Sequence, residues 1–388
     1  MRQDRILWLV YFLAALAVSL QKIHAGMNAQ GYTAYENYII FKNAFPHLIA
    51  GLNPYAFYMA EQWDLYKYSP AFALAMAPFA ALPDWLGLQL WNLLNALPLL
   101  WAALRLPLPP AKRRFLAWFI LPELVISMQN SQSNGLTAAL ILLAWVALEE
   151  QKPVRSAGWA AGGGFLKIFG ILAVAPALVY PQRRVFLPAL VLWSLLLFGI
   201  PLLVLTPGQA WQIYIWWLEL LQNDHSASVG LSVRGWLQSW FGWEAPKPGV
   251  AAFSLLALAL STWSVYRQTN RQSGLPPLQN RVLLWAALLV WVVIFNHKAE
   301  SPTFVIAMSG VGLWYLNREK PPFWMKFLLW TAFAFASLSP TDLFPRLWRE
   351  QIVQPYVLKA VPCILIWLIA TIQLLRPLVQ KQQLTSDE

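Results

Sequence analysis

The stretch AGWAAGGGFLKIFGILAVAPALVYPQRR, Ala157 to Arg184, decides how this chain folds. It is apolar almost throughout, with Lys167 near its middle and Arg183 and Arg184 at its end. Two readings compete. In the first, 157–180 is one long helix with Lys167 buried mid-span, and the two arginines emerge on the far side of a membrane. In the second, two short pieces meet at Lys167. The first piece, AGWAAGGGFL, makes roughly 15 Å of helix, against a hydrocarbon core of about 30 Å. Such a piece does not cross alone without thinning or tilt, so Lys167 would sit at depth, facing a cavity. The second reading also keeps Arg183 and Arg184 on the same side as the other basic loops, and the charge rule for membrane proteins favours it.

The rest of the chain has the character this reading needs. Of 388 residues, 59% are hydrophobic and only 12% charged. A soluble domain cannot hide that much apolar surface, and runs of about 20 apolar residues recur. The formal charge of +11 is therefore not a nucleic-acid signal: Lys and Arg fall mainly in short loops, where they set orientation. The 23 Trp and 13 Tyr supply interfacial aromatics. The single Cys363 excludes a disulfide within one chain and any cysteine-based metal cluster. Arg2 and Arg5 precede an apolar run that imitates a signal peptide, but no small-residue cleavage site follows, which favours a retained anchor.

Apolar segments lie at 6–21, 70–83, 85–106, 115–129, 134–149, 157–180, 185–205, 250–267, 281–297, 303–317, 323–339 and 357–376. They predict an all-α polytopic membrane protein, one integral membrane domain over 1–388 with about 11 to 13 transmembrane or partial helices. Segment 70–83 is short and interrupted by Pro78, which predicts a re-entrant or surface helix. Two loops are long, 22–69 and 206–249, and the first carries an amphipathic run suited to the membrane surface. The basic loops 105–114, 152–155, 183–184, 267–281 and 318–326, with both termini, are expected in the cytoplasm. Both long loops, with the polar turns QNSQSNG (129–135) and NHKAESP (296–302), then share the outer face. No internal repeat is visible.

That face collects the reactive side chains. It offers Glu36, Glu61, Asp64, Glu219, Asp224, Glu244 and Glu300 as carboxylates, with Lys42, Lys67, Lys167, Arg234 and Lys298 as cations and His47, His225 and His297 beside them. No spacing among them is a metal-ligand signature, and no cofactor motif is present. Cations at headgroup depth suit an anionic phosphate, and a nearby carboxylate can take a proton from an acceptor hydroxyl. Lys167, Lys67, Arg234, His297 and Lys298 are the candidates for a donor phosphate. Gln129, Gln132, Asn134 and Tyr68 are candidates for binding hydroxyls of the transferred group or the acceptor. Plainer roles compete at each position: snorkelling for Lys67, turn capping for Gln129, Gln132 and Asn134, interface anchoring for Tyr66 and Tyr68. Glu123, inside an apolar segment, reads as a structural group bonded between helices.

The order of several stretches resembles glycosyltransferase family 87, the polyprenol-phosphate-sugar-dependent, mannosyltransferase-like members of the GT-C superfamily. They are NYIIFKNAFPHLIAGLNPY, YKYSPAFALAMAPFAALP, LWNLLNALPLL, QNSQSNGLTAALILLAW, AGGGFLKIFGILAV, SVGLSVRGWL and NHKAESPTF, spread over roughly residues 30 to 310. The resemblance implies a GT-C bundle with surface helices in its first outer loop. It implies an inverting, metal-independent hexosyltransferase that uses a polyprenyl-phosphate sugar. A carboxylate early in the first outer loop would be the base. Family members carry an Asp there; here the nearest carboxylate is Glu36, offset from the pattern, and Asp64 is the rival. The expected activity moves a mannose-like hexose to a hydroxyl of a lipid or glycan acceptor at the outer face of a bacterial inner membrane. A transporter or flippase of lipid-linked sugars would share the cationic cavity and need no base. A polymerase or ligase using a pyrophosphate-linked glycan also fits a basic pocket.

Overall fold

The computed structural model of the chain describes residues 2–223, 229–269, 274–296 and 299–386, with side chains of the last helix as far as 376. The described residues are helical, with no β-strand among them beyond an isolated bridge between Met27 and Thr33. In chain order the helices are α1 (Arg2–His24), α2 (Glu36–Ile49), α3 (Pro70–Ala75), α4 (Ala77–Ala80), α5 (Asp84–Arg105) and α6 (Pro110–Gln129). Next come α7 (Asn134–Glu149), α8 (Pro153–Leu166), α9 (Val174–Ala177), α10 (Arg183–Gly199), α11 (Pro207–Asn223) and α12 (Val233–Phe241). The last are α13 (Lys247–Arg267), α14 (Leu278–Ile294), α15 (Phe304–Leu316), α16 (Phe323–Phe333), α17 (Arg346–Trp348) and α18 (Val361–Ser386).

This is an all-α polytopic membrane protein. α1, α10 with its 3₁₀ continuation to Leu203, and α13 are long and apolar enough to cross a membrane. α10 exposes Val191, Leu192, Leu195 and Leu196, an outer face suited to lipid. α7, α14 and α15 are buried on nearly all sides and form the centre of the bundle. α14 packs on α15, α5 on α1 and α7, and α8 on α7 and α10. Proline at the first turn starts α3, α6 and α8, where its missing N–H costs nothing. Segment 70–83 folds as α3 and α4, short helices that do not span. The two long loops hold α2 in one case and α11 and α12 in the other.

The bundle has two chemically distinct ends. At one, Asp4 pairs with Arg114, Arg105 and Lys152 both pair with Glu150, and Lys112 Nζ donates to the Leu316 carbonyl. At the same end Glu149 holds Arg281 through two bonds, 2.9 and 2.8 Å, and accepts from Tyr180 Oη at 2.6 Å.

The stretch from Ala157 onward is two pieces. α8 leaves the basic end after Lys152 and stops at Leu166. Lys167 is extended, with φ −142° and ψ 123°. A 3₁₀ turn, Ile168–Ala173, and α9 then lead back to Tyr180 beside Glu149. Arg183, which stacks on Tyr266, is therefore at the basic end as well. The reversal depends on backbone contact. A Cβ on Gly170 would lie 2.3 Å from both the carbonyl carbon and the oxygen of Gly163, so only glycine fits.

Candidate active site

The tip of this hairpin opens on a cavity of about 840 Å³ at the end of the bundle opposite the basic loops. That volume lies in the range of small-molecule and cofactor sites. Lys167 lines it, and so do Asp64, Lys67, Tyr68, Gln132, Lys247 and Glu300. The other wall is apolar, with Phe165, Ile171 and Leu172 from the hairpin, Trp217 and Leu221 from α11, and Trp291 and Phe295 at the end of α14.

The segment before α3 lines the cavity with Asp64, Leu65, Lys67, Tyr68 and Ser69, while Tyr66 turns inward. Tyr66 is fully buried and donates to the Ser69 carbonyl at 2.8 Å. Lys67, one residue on, faces the cavity and pairs with Asp64 at 3.3 Å, both half exposed. Ser69 caps α3 by accepting from Phe72 N and donates to the Phe165 carbonyl at 2.5 Å. The Ser-Pro step thus locks the loop to the hairpin, which sets Lys67 and Lys167 into one wall. Asp64 is fixed locally, its Oδ1 accepting from Leu65 N at 2.7 Å.

Lys167 is the head of a polar chain. Its Nζ donates to Asn134 Oδ1 at 2.5 Å and lies 5.7 Å from the Tyr68 ring centre and 5.9 Å from that of Phe169. Asn134 Nδ2 donates to Gln132 Oε1 at 3.3 Å, and Gln132 Nε2 donates to Glu300 Oε2 at 2.9 Å. An ammonium and a carboxylate are so joined through two amides on one turn. Such a cation is costly inside a membrane protein unless partnered, and here an amide oxygen and aromatic faces supply the partners. The Tyr68 hydroxyl accepts from Ser133 Oγ at 3.4 Å. Burial first, and then the negative charges of Glu300 and Asp64, push the Tyr68 phenol up, against that hydrogen bond, so it remains a neutral donor and acceptor.

The structure brings Asp64, Lys67, Tyr68, Gln132 and Lys167 to the cavity, with Asn134 directly behind as the partner of Lys167. Glu36 is not among the lining residues. It is buried in the first turn of α2, where Oε1 accepts from Trp63 N at 3.1 Å and Oε2 from Thr33 Oγ1 at 3.3 Å. Burial raises its carboxyl, and the Trp63 and Thr33 hydrogen bonds oppose the rise. Gln129 donates instead to Gln21, at 3.2 Å, and Arg234 Nε to the Ala245 carbonyl, at 2.8 Å; neither lines the cavity. His297 and Lys298 lie outside the described residues. Glu300, Lys247 and Thr303 line the cavity without having been singled out as site residues from sequence. For Glu300 the available signal was its place in the polar turn NHKAESP.

Lys167 and Glu123 are both ionisable groups in apolar surroundings, but only Lys167 lines the cavity. Glu123 bonds to Lys359 at 2.9 Å, between helices.

A comparison with curated proteins finds no match. The sequence profile of glycosyltransferase family 87 matches residues 66–295. That match starts at the loop carrying Lys67 and Tyr68, takes in the Gln132–Asn134 turn and the whole Lys167 hairpin, and ends on the cavity wall at Phe295. With more than half the chain covered, and with the cavity's lysines inside the match, this integral membrane protein belongs to glycosyltransferase family 87 and is a membrane glycosyltransferase.

Proposed function

We propose that the protein transfers a mannose-like hexose from a polyprenyl-phosphate carrier to a hydroxyl of a lipid or glycan acceptor. The observation that carries this reading is the two-faced cavity: lysines and carboxylates on one wall, an apolar surface from the hairpin, α11 and α14 on the other. The donor phosphate sits against Lys167 and Lys67, where a low dielectric strengthens the attraction. Its prenyl chain runs along the Phe165, Trp217 and Trp291 side. Gln132, Tyr68 and Glu300 face the sugar, with Asn134 behind them holding Lys167.

The acceptor oxygen attacks the anomeric carbon from the side opposite the phosphate. A carbon–oxygen bond forms as the bond to the phosphate oxygen breaks, and the configuration inverts. The acceptor proton passes to Asp64, and the electron pair of the broken bond leaves on polyprenyl phosphate. Asp64 is the better-placed base because it lines the cavity, whereas Glu36 does not. The lysines meet the charge of the leaving phosphate, so the step as drawn needs no metal ion. Orientation and charge stabilisation supply most of the acceleration.

The cavity is at the end of the bundle opposite the basic loops. By the charge rule this supports an active site that faces outward, in our reading from a single integral domain of a bacterial inner membrane. The purified protein in lipid nanodiscs, given polyprenyl-phosphate mannose with a radiolabelled sugar, is expected to pass label to an acceptor and release polyprenyl monophosphate. Donor binding without turnover assigns the flippase class instead. Consumption of a pyrophosphate-linked glycan assigns the ligase class.

A further inference from the structure

Behind the Glu300 wall lies a buried ion pair. Glu123 on α6 is fully buried and Lys359, just before α18, is 3% exposed; Lys359 Nζ donates to Glu123 Oε1 at 2.9 Å. Burying two charges costs several kcal/mol per ion before any return. Apolar residues of similar volume would serve the core as well. The second Glu123 oxygen meets no hydrogen-bond donor among the described residues.

Among the described residues Lys359 has one more hydrogen bond, and it leads to the turn behind the cavity wall. Its Nζ donates to Ser301 Oγ at 2.8 Å. Ser301 opens the 3₁₀ turn Ser301–Thr303, and both its neighbour Glu300 and Thr303 line the cavity. The backbone before Lys359 is strained. Val357 has φ 54°, a left-handed conformation that a β-branched side chain rarely adopts. Strain of that kind persists only where surrounding contacts over-determine it. Those contacts are present: Trp240 Nε1 donates to the Tyr356 carbonyl at 2.8 Å, and Ser239 Oγ donates to the Pro355 carbonyl. Lys359 and Ser301 both lie beyond the stretch matched by the family profile.

We propose that Lys359 is a positioning residue, which fixes Ser301 from below the cavity wall and so holds Glu300 and Thr303 against the bound sugar. The inference rests on the transferase reading above. Glu123 supplies the opposite charge that keeps the ammonium in place. Nothing in the scheme requires Lys359 to touch substrate.

Ser301→Ala removes the link and leaves the ion pair whole; Ser301→Thr keeps the hydroxyl. Ser301→Ala is expected to lower kcat/KM for sugar transfer roughly tenfold, since small misplacements cost that much or more. Its melting temperature and its affinity for polyprenyl phosphate, which carries no sugar, are expected to match wild type. Ser301→Thr restores transfer. The double variant Glu123→Leu, Lys359→Met strands no charge and is expected to show the same kinetic defect. Wild-type transfer by either Ser301→Ala or the double variant overturns the proposal, as does a parallel fall in polyprenyl-phosphate affinity. A wild-type protein that transfers no sugar in this assay removes the underlying transferase reading instead.

Discussion

Lys167 Nζ and Asn134 Oδ1 stand 2.5 Å apart, joining the tip of a membrane hairpin to the first residue of α7. The amide oxygen accepts one ammonium proton and leaves the others to the cavity. Lys167→Met is expected to reduce transfer roughly a hundredfold, the loss of a charge-assisted hydrogen bond worth about 2–3 kcal/mol. Folding is expected to survive, because a cation leaves an apolar setting. The check is steady-state transfer beside thermal melting in detergent. Retained transfer would mean that the phosphate is held elsewhere.

The two candidate bases separate cleanly. Asp64→Asn is expected to cut turnover by about 10²–10⁴, the usual worth of a general base, with donor binding intact. Glu36→Gln is expected to transfer at a rate near wild type, since the glutamine oxygen still accepts from Trp63 N. Labelled-sugar transfer and donor binding by both variants decide between them. An active Asp64→Asn enzyme paired with an inactive Glu36→Gln enzyme would reverse the assignment.

Glu36 also makes a prediction about pH. Burial raises its carboxyl above the ordinary 4.5. The folded state therefore holds this proton more tightly than the unfolded chain does. Its contribution favours the fold at low pH and is lost as pH rises from the ordinary value through the raised one. Glu36→Gln is expected to flatten the melting-temperature profile across that window. A profile of unchanged slope would show that Glu36 titrates as it does in the unfolded chain.

Two glycines in the hairpin should behave oppositely. At Gly170 an added Cβ meets Gly163 backbone at 2.3 Å, whereas at Gly162 nothing lies within 4 Å. Gly170→Ala is expected to destabilise by about 1–3 kcal/mol or more and to lower transfer with it, because the tip carries Lys167. Gly162→Ala, inside α8, is expected to be neutral or to stabilise by up to about 1 kcal/mol. Thermal melting of the two variants tests the pair.

The helices were legible because lipid demands long apolar runs; 134–149, for instance, has the same limits in sequence and structure. The break at Lys167 was legible from length and charge, two quantities that need no tertiary knowledge. The lining of the candidate site was legible only where a local motif carries it, as with Asp64, Lys67 and Tyr68. Glu300 reaches Gln132 across 168 positions and Lys359 reaches Glu123 across 236, and no local pattern reports such distances. Glu36 illustrates the converse. Its place after the first helix marks it as reactive, yet the Trp63 amide that engages it depends on how the loop folds back.

The hairpin is moored at both feet to the basic rim, through Lys152 and Tyr180, so its arms act as a ruler. A whole turn added to or removed from the α8 arm would shift the ammonium by about 5.4 Å along the helix axis and keep its facing, whereas a single residue would also swing it by about 100°. Because Phe165, Ile171 and Leu172 ride on the same hairpin, the apolar wall would travel with the ammonium, so that charge and grease keep one spacing whatever the length of the arm.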